Sequence, residues 1–143
     1  MKLHTASETV SFVKELEEQA ARFYEDLAQR YSSKEDVLLS YARENRQYST
    51  QIQRAYYSVI TDAIEGGYAF NLETDDHTLD TEVPEQASYA DALDKAVEIE
   101  EKMISFYTVA AEQSMSLMAD VPGNFKIVAR KRQKRVEQLQ AHT

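Results

Sequence analysis

The sequence contains no cysteine and no tryptophan, and only three glycines and two prolines among 143 residues. Without cysteine there is no disulfide, no thiolate metal site and no Cys-ligated iron–sulfur cluster. So little glycine and proline leaves long stretches in which nothing interrupts a helix. No apolar run approaches the length that crosses a bilayer, and the opening MKLHTASETV lacks the apolar centre of a secretory signal. The expected compartment is the cytoplasm, with no membrane association. Positive charge is also scarce: 16 Lys and Arg stand against 25 Asp and Glu, a formal net charge of −9. Such a balance disfavours nonspecific nucleic-acid binding by the surface as a whole. With 29% charged and 43% hydrophobic residues, the composition is that of one soluble domain long enough to bury a core.

What is present is helical periodicity, in four segments at about residues 7–31, 34–64, 88–118 and 122–140. Thr5 and Glu8 in TASE form a capping box ahead of the first. SSKE opens the second and Gly66-Gly67 closes it; Ser88 with Asp91 caps the third; DVPGN precedes the fourth. The first three helices are each roughly 40 Å long at 1.5 Å per residue. Short turns pair them into two hairpins, and the stretch at about 66–87 is long enough to travel the length of a bundle. The predicted fold is therefore all-α: a single four-helix bundle over residues 1–143, two helical hairpins joined by a long crossover. An internal repeat agrees, since ELEEQAARFY (15–24) matches EIEEKMISFY (98–107) at three Glu, the Phe and the Tyr. The acidic crossover ETDDHTLDTE lacks the glycine turn and terminal glutamate of an EF-hand and reads as a solvated connection.

The apolar stripes are less ordinary. At spacings of three and four they run Val13, Glu17, Ala20, Tyr24, Leu27, Tyr31, then Val37, Tyr41, Glu44, Tyr48, Ile52, Ala55, Val59. The third is Leu93, Val97, Glu100, Ile104, Tyr107, Ala111, and the fourth is Phe125, Val128, Arg132, Arg135, Leu139. Every seam contains charge. RKRQKR (130–135) looks like a nucleic-acid patch, yet helical phase turns Arg132 and Arg135 inward and leaves Arg130, Lys131 and Lys134 flanking or outside, with no aromatic platform between them. Buried charge has to be compensated. The expected set is Glu17, Glu44 and Glu100 against Arg132 and Arg135, with Gln47 one turn beyond Glu44. Tyr24 and Tyr107 lie seven residues after Glu17 and Glu100, on the same faces, and their hydroxyls find partners in that set.

These motifs resemble the rubrerythrin branch of the ferritin-like superfamily. In that family a Glu-x6-Tyr element on the first and third helices and a Glu-x-x-His element on the second and fourth hold two iron ions for oxidase or peroxidase chemistry. Glu17 to Tyr24 and Glu100 to Tyr107 satisfy the first element in both halves. The second is broken in both: ENRQ keeps Glu44 but has Gln47 in place of histidine, and RQKR has Arg132 in place of glutamate and Arg135 in place of histidine. A guanidinium cannot ligate a cation. His4 and His142 are terminal and His77 lies in the crossover, so no histidine replaces the lost ligands. The resemblance then implies a non-catalytic protein in which a Glu–Arg network replaces the diiron centre. Neither a cofactor nor a metal is expected, and the role is structural or partner-binding, as a homodimer through an outer helix face. Two alternatives remain open: a metal-dependent oxidoreductase with a reduced iron site, whose ligands would be Glu17, Glu44 and Glu100, and a small-ligand binder using the bundle interior.

Overall fold

Thr5 and Glu8 make the reciprocal cap that the sequence predicts. The Glu8 N–H donates to Thr5 Oγ1 at 3.1 Å, and the Thr5 N–H donates to Glu8 Oε1 at 3.1 Å. In the computed structural model of the protein, which describes residues 1–59, 70–114 and 120–141, this cap opens helix α1 (Ala6–Arg30). A 3-10 turn at Ser32–Lys34 leads into α2 (Glu35–Val59). Helix α3 (Tyr89–Ser114) starts behind Ser88, whose Oγ accepts from the Asp91 N–H at 3.1 Å. Helix α4 (Asp120–Ala141) begins two residues earlier than predicted. Pro122 thus falls in its first turn, where a backbone N–H has no intrahelical partner to lose. The predicted ends of the second and third helices, at Ile64 and Met118, and the Gly66-Gly67 stop lie outside the described residues.

Among the described residues the protein is all-α apart from one small ribbon. Helix α1 packs along α2 and α3 along α4; α2 also packs on α4, and α1 touches α3. One continuous apolar core joins all four helices. No described helix is long and apolar enough to cross a membrane.

The crossover corrects the expectation of a solvated connection. Strand β1 (Lys2–Leu3) pairs antiparallel with β2 (Leu72–Glu73), a ribbon that the sequence does not announce. Phe70, Leu72, Leu79 and Val83 are buried. A 3-10 turn at Thr74–His77 brings the His77 ring edge-on to Phe106, 5.3 Å between centroids, and Phe106 meets Phe12 in the same way. The acidic residues of this segment face solvent, while its few apolar ones cover the α1–α3 side of the core. Burying them removes apolar area worth about 25 cal/mol per Å² from water.

Candidate functional site

Helices α1, α3 and α4 deliver their charged seam residues to one place. Glu17 (α1), Glu100 (α3) and Arg132 (α4) are each 0% exposed, and Arg135 (α4) is 2% exposed. Arg132 lies between the two carboxylates: Nη2 donates to Glu17 Oε1, and Nη1 donates to Glu100 Oε2 at 2.5 Å. Arg135 Nη1 donates to Glu100 Oε1 at 3.0 Å and to Asn45 Oδ1 at 2.6 Å, and Nη2 reaches the Tyr41 carbonyl at 3.4 Å. The tyrosines cross between the halves. Tyr24, on the helix of Glu17, donates to Glu100 Oε1 at 2.8 Å; Tyr107, on the helix of Glu100, donates to Glu17 Oε2 at 2.7 Å. The repeat seen in the sequence is therefore a reciprocal contact in space. All four carboxylate oxygens accept at least one hydrogen bond, and two anions meet two cations.

Aromatic faces close the set. The Arg135 guanidinium lies 4.6 Å from the Tyr41 ring centre and 5.4 Å from that of Tyr24, and Arg132 lies 5.2 Å from Tyr48. Such stacking suits a weakly hydrated guanidinium removed from water. Arg132 Nε and Asn45 Nδ2 are buried without a hydrogen-bond partner among the described residues.

Two of the sequence-predicted members do not join the buried network. Gln47 is exposed on the outer face of α2. Glu44 stands at the rim with its side chain 44% exposed, 3.7 Å from Arg135 Nη2, and accepts a 3.3 Å bond from the Tyr48 hydroxyl. The cause is helical phase. The buried line of α2 runs Leu38, Tyr41, Ala42, Asn45, Tyr48, Ser49, Ile52, and Val37, expected in the core, is 39% exposed. Gln47 follows Asn45 by two residues, about 200° round the helix. Asn45 is thus the residue that the sequence reading missed. Its signal was the run Leu38, Ala42, Asn45, Ser49, Ile52 at core spacing. The buried pair three residues apart on α2 is Asn45 and Tyr48, and its counterpart on α4 is Arg132 and Arg135. Arg130, Lys131 and Lys134 are exposed, as predicted.

No protein-family model, curated protein or solved structure matches the chain. Burial pushes both carboxyls up, and the arginines oppose it. Glu100, between Arg132 and Arg135, is held below the ordinary 4.5. Glu17, against Arg132 alone and beside the Glu100 charge, stays above it. Burial and the adjacent carboxylates raise the Tyr24 and Tyr107 hydroxyls far above 10, and burial takes Tyr48 up to about 12. These groups keep their protons and act as donors.

The residues do not fit a pair of iron ions. Both core carboxylates are engaged by guanidinium and phenol donors, and a fixed cation stands between them. Among the described residues no cluster of three or more His, Cys, Asp or Glu side chains is placed to hold a metal ion. His77 is committed to the crossover, and His142 lies outside the described residues.

Proposed function

We propose that the protein is a non-catalytic, ferritin-like four-helix bundle of the rubrerythrin-like branch, cytoplasmic, in which the Glu–Arg network stands in place of the diiron centre. Its role is structural or partner-binding, as a homodimer. The observation that carries this reading is Arg132, inserted between Glu17 and Glu100 with a donor to each. The crossed Tyr24–Glu100 and Tyr107–Glu17 bonds support it, because they place the twice-occurring Glu-x6-Tyr element symmetrically about the same centre. A set of two carboxylates and two guanidiniums is neutral as it stands. Adding cations to it means expelling arginine from a dry core, at the cost of an uncompensated buried charge.

Titration with Co²⁺, followed by visible absorbance and by melting temperature, tests the proposal. The wild type is expected to show neither ligand-field bands nor a rise in melting temperature. A rebuilt variant, Asn45→Glu, Tyr48→His, Arg132→Glu and Arg135→His, is expected to be weakly folded alone and stabilised by metal. Tight uptake of two equivalents by the wild type sinks the reading.

A further inference from the structure

Charge is segregated along this chain. Between Arg54 and Lys95 there is no Lys or Arg, and between Asp120 and Glu137 there is no Asp or Glu. Among the described residues each block has members that face solvent. On α4 the exposed Lys126, Arg130 and Lys134, at i, i+4 and i+8, form a stripe flanked by Lys131. None of the four makes an ion pair with a described residue, and only Lys131 has a described partner, the Tyr48 ring 5.8 Å away. Elsewhere Arg46 holds Glu18 and Glu25, and the half-buried Lys95 holds Asp80 and Glu98. Exposed Lys14 and Arg43 are also without an ion pair among the described residues. What sets the α4 residues apart is the absence of any Asp or Glu between Asp120 and Glu137. Ile127, one of the few exposed large apolar residues, sits beside the stripe at 39% exposure. Lys126 and Arg130 border a cleft of about 390 Å³ with Ala111 and Ala129 among its lining, and Glu112 is the single acid there among the described residues.

The complementary surface is on the same molecule. In the crossover, the carboxylates of Asp75, Asp76, Glu82 and Glu85 are without an ion pair among the described residues, and Asp76, Glu82 and Glu85 are exposed. The side chains that tie this segment down, Arg30, Lys95 and Lys102, come from α1 and α3. The α4 stripe takes no part in this. A polyanion such as nucleic acid would meet that stripe only by bringing its charge against a body of net −9. A short acidic segment on a folded neighbour meets it without that cost.

We propose that a second copy of this chain is the partner, bound through the cationic face of α4 against the acidic crossover. This rests on the homodimer proposed above and assigns its two contacting surfaces. It stands apart from the metal-free core, because none of the residues involved belongs to the buried network. Each exposed pair contributes little and is screened by salt, so the association is weak and salt-sensitive, with Ile127 as its apolar element.

Sedimentation velocity of the full chain at about 20 mM and about 500 mM salt reads the contact. The wild type is expected to associate in the first and be monomeric in the second. Lys126→Glu, Arg130→Glu and Lys134→Glu together should leave it monomeric at low salt with an unchanged melting temperature. Asp76→Lys, Glu82→Lys and Glu85→Lys should do the same, and mixing the two reversed proteins should restore a complex. A wild type that is monomeric at both salts, or an association that survives reversal, overturns the proposal. So does failure of the reversed pair to recombine. A wild type that remains monomeric while binding short duplex DNA or anionic vesicles overturns it in favour of a polyanion. Cobalt titration of the same reversed variants still reports on the core alone.

Discussion

Arg132 has no exposed surface and two carboxylate partners, so its removal differs from its replacement. Arg132→Ala leaves Glu17 and Glu100 facing each other across a dry gap, and the expected loss is about 3–5 kcal/mol in urea unfolding. An apolar redesign of the whole set, with Glu17, Glu100, Arg132 and Arg135 changed together to side chains of similar volume, should cost far less, since no charge is then stranded. If the single change proves as mild as the redesign, Arg132 is not buried among charges in solution. The two glutamates should also titrate apart. Glu100, held below 4.5, adds stability that is present above 4.5 and lost as pH falls through its folded value. Glu17, raised above 4.5, acts with the opposite sign: its contribution is complete below 4.5 and is lost as pH rises through its folded value. Carboxyl NMR should find one on each side of 4.5, and two values on the same side would contradict the one-arginine, two-arginine difference. Six of the eight predicted site residues were legible: Glu17, Tyr24, Glu100 and Tyr107 from a Glu and a Tyr seven residues apart inside an apolar stripe, and Arg132 and Arg135 from the helical phase that turns them inward. Glu44 and Gln47 were misplaced because Tyr41, Tyr48 and Ile52 fit two core lines one residue apart. Only Leu38, Ala42 and Ser49 decide between Glu44 and Asn45, and small residues are weak markers of a buried face.

At the scale of elements, the four helices could be read from period and caps, and the observed Thr5 and Ser88 caps bear that out. The crossover could be located but not placed. Its apolar residues, Leu72, Leu79 and Val83, are too few and too far apart among polar neighbours to mark an element, so nothing in the sequence says that they dock. His77 is the sensitive point of that docking. Burial against Phe106 lowers its pKa below 6.5; Asp76 pulls it up and Lys102 pushes it further down. The unfolded chain therefore takes up a proton first. Stability should fall as pH drops from about 6.5 through the folded value and then level off. His77→Phe keeps a ring against Phe106 and cannot titrate, so melting temperatures over this interval should lose that slope. Retention of the slope would assign it to another group.

For the molecule as a whole, the proposed reading makes the fold self-sufficient, its two buried acids answered by two arginines. Thermal melts followed by circular dichroism are expected to coincide with and without EDTA, and a marked drop with chelator would reveal a structural ion that the network leaves no place for. Self-sufficiency has a temporal side. The Arg132–Glu17 contact joins residues 115 apart in the chain, the Tyr107–Glu17 contact 90 and the Tyr24–Glu100 contact 76. Contacts of such long range form late, after the closure of large loops. During synthesis the first hairpin emerges with Glu17 already on its inner face and its counter-charge still to be made. The pair is expected to close as a dry, locked unit only when α4 supplies Arg132, and hydrogen exchange on a fragment of residues 1–59 should find it loosely packed.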